Sequence, residues 1–256
     1  MEEKQYHIAC RTGDVGRYCI LPGDPGRCEK IARLLKAPQK MAQNREFTTY
    51  TGLLGNERVS VVSTGIGGPS AAIALEELVA IGADTFIRIG TCGGIDLRVK
   101  SGDSIVVTGA VRQEGTTREY APIAYPATAN FQVATVLKAA CLEQGQTVHT
   151  GVIQSKDSFY GQHSPRRMPL ANTLLENWEA LKRLHVLGSE METAALLVVA
   201  ASLDVRCGSI LHVLWNQERR AAGNVEEDSP DTHHTVAAAV RALELLIRSD
   251  RGEGRA

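Results

Sequence analysis

Short apolar runs rich in β-branched residues recur along the chain, and between them apolar positions return every three or four residues. Tyr18 to Leu21, Val59 to Ser63, Thr85 to Ile89, Ser104 to Val111, Val148 to Ile153 and Ser209 to Val213 have the length and make-up of buried strands. The helical period predicts a first helix capped by Asp24, with Pro25 opening it and Ile31, Leu34 and Leu35 on one face. A second helix is expected after Pro69, capped by Ser70, running through Ile73, Leu75 and Leu78 to a stop at Gly82. Further helical patterns cover Phe131 to Gln144, Ser189 to Leu203 and about Thr235 to Ile247. Strands separated by helices are βαβ units, which place helices on both faces of one sheet and make the fold class α/β. With no internal repeat, low-complexity block or Pro/Ser-rich linker, residues 1–256 read as a single domain, its charged end from Ser249 to Ala256 expected to fray.

Composition narrows the function. The 256 residues are 43% hydrophobic and 22% charged, the profile of a globular chain able to bury a large core. A formal charge of −1 supplies no overall positive field, so no nucleic acid is expected as partner. Glu2, Glu3, Lys4 and His7 interrupt any secretory signal, and the most apolar run, Thr193 to Ser202, is about half of what a bilayer-spanning helix needs. A cytoplasmic protein with no membrane partner is expected. Cys10, Cys19, Cys28, Cys92, Cys141 and Cys207 form no CxxC pair and read as reduced, packed thiols.

Four segments carry chemistry. In Leu21-Pro22-Gly23-Asp24-Pro25-Gly26-Arg27 a strand passes through a glycine turn into a helix, an arrangement that suits a small anion and equally an ordinary capped turn. Arg88 lies inside an apolar strand, so its guanidinium needs an acidic partner, a bound anion or a solvated face. The Gly90-Thr91-Cys92-Gly93-Gly94 turn that follows stands at a carboxyl strand end, where open α/β sheets bind ligands, and phosphate is the natural guess. Glu190 and Glu192 precede an apolar helix, as macrodipole partners or as acceptors for paired sugar hydroxyls. Lys156 to His163 crowds amine, aromatic, amide and imidazole groups beside Gly161, as a surface turn or as a loop that stacks a planar base. No serine lies in a GxSxG elbow, and the adjacent His233 and His234 lack the spacing of a helical zinc pair.

Together and in this order, these segments resemble the nucleoside phosphorylase-I family and, within it, the uridine phosphorylase branch. The most specific matches are Pro22-Gly23-Asp24-Pro25, Arg45-Glu46-Phe47-Thr48-Thr49, Ser63 to Ser70, Arg88-Ile89-Gly90-Thr91 and Glu190-Met191-Glu192, and the likeness runs from about His7 to the last helix. The resemblance implies a three-layer fold with a central mixed β-sheet flanked by helices. It implies that Gly23, Arg27, Arg88 and Thr91 hold phosphate, with Arg45 from a neighbouring subunit. Met191 and Glu192, backed by Glu190, would hold the ribose hydroxyls, with the neighbour's His7 at the 5′-hydroxyl. Phe159 would stack on uracil and Gln162 would pair with its edge. A homodimer at least, and a hexamer of three dimers, would follow, with inorganic phosphate as co-substrate, no required cofactor, and a potassium ion in some relatives at positions matching Glu46, Ile66 and Ser70.

The implied reaction is reversible phosphorolysis of uridine to uracil and ribose 1-phosphate. The chain departs from the family pattern at Ser164 and Gln217, where arginines are usual; His163 and Lys156 are the available substitutes at the base edge, with Arg166 and Arg219 behind them. Leu214-Trp215-Asn216-Gln217 offers no acid to protonate a purine. The neighbouring alternatives are a purine nucleoside phosphorylase, a nucleosidase, and a non-catalytic nucleoside-binding protein. The segment from Glu218 to His234 is expected to form a mobile flap.

Overall fold

The computed structural model describes residues 3–253. In chain order the elements are β1 (Tyr18–Pro22), α1 (Pro25–Ala32), β2 (Lys36–Asn44), β3 (Phe47–Leu54), β4 (Glu57–Val62), α2 (Gly68–Ala80), β5 (Thr85–Gly94) and β6 (Ser104–Gln113). The second half continues with β7 (Ala127–Thr128), α3 (Phe131–Glu143), β8 (Val148–Lys156), α4 (Phe159–His163), α5 (Ala171–Arg183) and β9 (Gly188–Glu190). It ends with α6 (Thr193–Ser202), β10 (Arg206–Asn216), α7 (Gln217–Ala221) and α8 (His233–Asp250).

All ten strands join one mixed sheet ordered β10-β6-β8-β9-β5-β1-β4-β3-β2, with β7 on β6. A further parallel pairing of β10 with β5 closes β10, β6, β8, β9 and β5 into a five-stranded barrel. The helices form a layer on each side. Alternation along β1 and β5 sends Cys19, Leu21 and Phe86 into a core shared with α2 and α6. Tyr18, Ile20, Ile87 and Ile89 go into the opposite core under α1, α3 and α8. That period of two decides where Arg88 points: it falls on the Phe86 side, and Gly90 makes room for it. A Cβ at Gly90 would lie 2.8 Å from Arg88 Nη2 and 2.7 Å from Leu211 Cδ2.

All six strands expected from the pattern form, and Asp24 caps α1 by accepting from the Gly26 N–H at 2.8 Å. Leu35 is buried but Leu34 is exposed, because α1 ends at Ala32. Ser70 does not cap α2; Gly67 precedes the helix and Ser70 sits in its first turn, its hydroxyl turned back to the Thr64 carbonyl at 2.5 Å. Gly82 does end α2: with φ at +103°, it donates to the Val79 carbonyl while Ala83 donates to that of Leu78. The helix expected from Ser189 starts at Thr193, because Gly188 to Glu190 are drawn into β9. The end of the chain is tied further than expected. The Asp250 carboxylate accepts from the Tyr18 hydroxyl at 2.8 Å and from Arg206, and Arg251 pairs with Glu57 at 2.8 Å; residues 254–256 lie outside the described residues. No helix among the described residues is long and apolar enough to cross a membrane. All six cysteines are free and buried, and burial raises their thiols.

Candidate active site

The carboxyl ends of β1, β5, β8 and β10 converge with the β4–α2 and β9–α6 connections around a cavity of about 640 Å³. Its two ends differ in chemistry. At one end stand the β1–α1 turn and the end of β5. Gly23 packs there against the β4–α2 turn; a Cβ on it would come 3.3 Å from the Gly65 carbonyl, whose own residue has φ of +70°. Arg27 and Thr91 face the same space.

Arg88 has found acidic partners as well. Its Nε donates to Glu190 Oε2 at 3.1 Å, and its Nη2 contacts Glu190 Oε2 at 2.9 Å and Glu192 Oε2. Nevertheless Arg88 Nη1 and Arg27 Nη1 are both buried without a hydrogen-bond partner among the described residues. An unmet buried donor costs about 1–3 kcal/mol, and these two sit on neighbouring like charges. Burial first, and then the positive charge of Arg88, hold Arg27 below the usual guanidinium range. An oxyanion between the two arginines would offset both penalties.

The carboxylates form the middle of the cavity. Glu190 is nearly saturated by the protein: it accepts from Arg88, from Ser155 and from the N–H groups of Glu192 (2.9 Å) and Thr193 (3.0 Å). It therefore positions its neighbours. Glu192 accepts from the Gly67 N–H at 2.6 Å and from Arg88, and burial raises its carboxyl above the usual range against the opposing effect of Arg88. Met191 lines the cavity beside it.

The other end is aromatic. The His163 ring lies 4.3 Å from Phe159 and 5.3 Å from Trp215, centroid to centroid. Burial, followed by the charge of Lys156, lowers His163 below the ordinary imidazole range. Buried Lys156 donates to Ser189 Oγ at 2.7 Å, and desolvation lowers its amine to about 8 against the pull of Glu190.

Most residues singled out in the sequence thus meet here: Gly23, Arg27, Glu46, Ile66, Arg88, Thr91, Lys156, Phe159, His163, Glu190, Met191 and Glu192 all line the cavity. Gln162 does not. Its side chain contacts Ser189 and Gln217 (3.3 Å) and lines an adjoining cavity of about 730 Å³, which shares Lys156 with the first. Arg45 and His7 also lie outside the lining. They sit near each other instead: the Asn44 side chain donates to the His7 carbonyl at 2.7 Å, and the Arg45 guanidinium carbon stands 6.0 Å from the Tyr6 ring centroid. Arg45, at φ +52°, occupies the tip of the β2–β3 hairpin, exposed beside Glu46. Ser70 Oγ, which donates to the Thr64 carbonyl, also lies 2.9 Å from Glu46 Oε1 just behind the wall.

Trp215 and Ser189 were not anticipated as part of the site. An aromatic at the end of a strand reads as core, and Trp215 follows a register shift after Val213 that the sequence does not mark. Nor does the flap form as expected. Trp178 donates to Glu218 at 2.8 Å, Arg219 pairs with Glu226, and the Ser229 carbonyl contacts His212 Nε2 at 2.8 Å, so several points pin the Glu218 to His234 segment.

Comparison with known proteins agrees with this geometry. The phosphorylase superfamily pattern matches residues 17–248. A uridine phosphorylase from Treponema pallidum (strain Nichols) is 49% identical over 247 residues, spanning 96% of this chain and 95% of its own length. Proteins of the same name from Thermococcus kodakarensis and Escherichia coli (strain K12) are 40% and 39% identical, covering 100% and 94% of this chain and 91% and 98% of their own. The chain belongs to the phosphorylase superfamily.

Proposed function

We propose that this chain is a uridine phosphorylase, a pentosyltransferase that reversibly converts uridine and inorganic phosphate to uracil and ribose 1-phosphate. The observation that carries the reading is the pair of guanidinium groups whose buried Nη1 donors are unmet among the described residues, lining the same cavity as an aromatic end. Phosphate seated on Arg27, Arg88, Thr91 and the Gly23 turn attacks the anomeric carbon. Its oxygen forms the new bond while the glycosidic electron pair leaves with the base, so hydrogen phosphate and uridine give the uracil anion and ribose 1-phosphate with charge conserved. Fixed charge at both ends of the cavity stabilises a ribose that is cation-like in between, and holding both reactants in line removes an orientation cost. Glu192 holds ribose hydroxyls and Phe159 stacks the base.

Exposed Arg45 and half-buried His7, whose Nδ1 meets Glu77 Oε1 at 2.6 Å, both lie outside the cavity lining, which supports completion of the site by a second copy, making a homodimer the smallest active unit and a hexamer its expected assembly. The same surface carries Glu46, Ile66 and Ser70. A carboxylate and a hydroxyl 2.9 Å apart are hard oxygen donors suited to a potassium ion shared between copies. Six free, buried thiols agree with a reducing, cytoplasmic setting.

The test is base release from uridine and inosine with and without phosphate. Phosphate-dependent uracil release, faster than hypoxanthine release, supports the reading. Cleavage indifferent to phosphate points to a nucleosidase, and faster inosine cleavage to a purine enzyme. Binding of uridine without turnover would make the chain a binding protein.

A further inference from the structure

Arginines usual at the base edge are absent here, as Ser164 and Gln217 occupy those positions. Nor do the nearby arginines replace them. The Arg219 guanidinium is held by Glu226 and the Leu97 carbonyl, and Arg166 is exposed outside the cavity lining. Among the described residues lining the cavity, the cationic side chains are Arg27 and Arg88 at the phosphate end, and Lys156 and His163 toward the aromatic end. His163 is lowered by burial and by Lys156, which favours its neutral form at pH 7. Lys156 then remains as the cation facing the base.

Its surroundings suit that task. Lys156 stands at the end of β8, on the wall shared by the two cavities. Its ammonium carries three N–H donors but, among the described residues, has one protein acceptor, Ser189 Oγ. Ser189 in turn is fixed by Gln154 Oε1 at 2.6 Å and Gln162 Oε1 at 2.9 Å. The charged and titratable groups facing Lys156 are Glu190, Glu192, Cys92 and His163. Glu190 is occupied by its own hydrogen bonds and Cys92 is held as a neutral thiol by burial.

Resting on the uridine phosphorylase reading, we propose that Lys156 is a catalytic residue which donates to a carbonyl oxygen of the pyrimidine and stabilises its negative charge as the glycosidic bond breaks. Ser189 is its positioning residue. The task done elsewhere by a guanidinium passes to an amine that loses its proton far more readily, because desolvation lowers it to about 8.

The test compares wild type, Lys156→Met and Lys156→Arg with uridine and with 5-fluorouridine, whose base leaves more easily as an anion. Lys156→Met is expected to lower kcat for uridine about a hundredfold, as for loss of one strong charge-stabilising donor, and for 5-fluorouridine about tenfold or less. The phosphate KM should change little. Wild-type kcat/KM for uridine should fall on the alkaline side with a midpoint near 8, and this limb should vanish in Lys156→Met and move upward in Lys156→Arg. Ser189→Ala should shift the same midpoint, which a purely structural role would leave in place. Equal losses for both substrates, or an unchanged alkaline limb in Lys156→Met, overturns the proposal. Should Lys156→Met fail to fold, Lys156→Gln takes its place with the same outcomes. Phosphate-independent cleavage by the wild type defeats the phosphorylase reading itself; phosphate-dependent cleavage of uridine that is undiminished in Lys156→Met removes Lys156 alone.

Discussion

The phosphate end and the base end of the cavity are built by different means. Regular structure makes the first: Arg27 projects from the first turn of α1 and Arg88 from the middle of β5, with Glu190 and Glu192 braced against it. Short and irregular pieces supply the second: the five-residue α4, the last residues of β8 and the bulged end of β10. Charges at the first end are guanidinium groups that stay protonated at any working pH, whereas the second end holds an amine that burial brings down to about 8 and an imidazole that burial lowers below its ordinary range. On the proposed reading, permanent charge binds the reactant that is always an anion. Adjustable charge meets the one that becomes an anion only as the bond breaks.

The widest break in this contrast should come from Arg88→Ala. On the proposed reading it removes a phosphate contact, and it leaves Glu190 and Glu192 buried without their counter-charge. We expect a loss of about 2–4 kcal/mol in transition-state stabilisation, read as kcat/KM. Denaturant unfolding should show a loss of about 3–5 kcal/mol in stability. Normal kinetics at low phosphate would remove Arg88 from the site. Arg27→Met should separate the two effects. Arg27 makes no side-chain hydrogen bond to protein among the described residues, and its Nη1 is orphaned. The phosphate KM should rise at least about tenfold, while stability without phosphate stays equal or increases by about 1 kcal/mol. Added phosphate should raise the wild-type melting temperature more than that of the variant. A destabilised variant would mean that the arginine is structural.

This division also governs what the sequence could disclose. Segments that combine an apolar strand, a glycine turn and a charge, such as Leu21 to Arg27 and Phe86 to Thr91, carry fold and chemistry in consecutive residues, and both lay where expected. The partners of Arg88 could be anticipated only as a need, since Glu190 and Glu192 are 102 and 104 residues away. β2 escaped because Lys36 to Asn44 is polar, with Pro38 in it; this is the look of an edge strand, and the strand is indeed at the sheet edge and mostly exposed. β3 is threonine-rich yet buried: Thr51 meets the Ser60 hydroxyl at 2.7 Å, while the buried Thr49 hydroxyl has no hydrogen-bond partner among the described residues. At the base end, the direction of Gln162 depends on α4 packing, and the role of Trp215 depends on a register shift between Val213 and Trp215 where β10 meets β5.

Trp215→Ala probes the aromatic end at intermediate strength. Its ring backs His163, which in turn meets Phe159, so truncation loosens this stack without touching Arg27 or Arg88. A fall of about tenfold in kcat/KM for uridine is expected, matching the worth of one aromatic contact, with the phosphate KM unchanged. A comparable rise in the phosphate KM would show that the two ends are coupled mechanically and would blur the contrast.

The smallest effect is a change in stability with pH. His163 is lowered in the folded protein, so the unfolded chain takes up its proton at higher pH than the native state does. Stability is then lost as pH falls through the ordinary imidazole value near 6.5, and the loss is complete once the folded group is protonated as well. His163→Gln removes that contribution. Buried His212 is lowered too, but it is present in both proteins and cancels in their difference. Thermal unfolding without ligand should therefore show wild type losing ground to His163→Gln as the pH is lowered from about 7.5 to 5, by at most about 2 °C in midpoint. Phosphate-end variants give no comparable step, because arginines do not titrate there. A step of the same size in Arg27→Met relative to wild type would remove the distinction between permanent and adjustable charge.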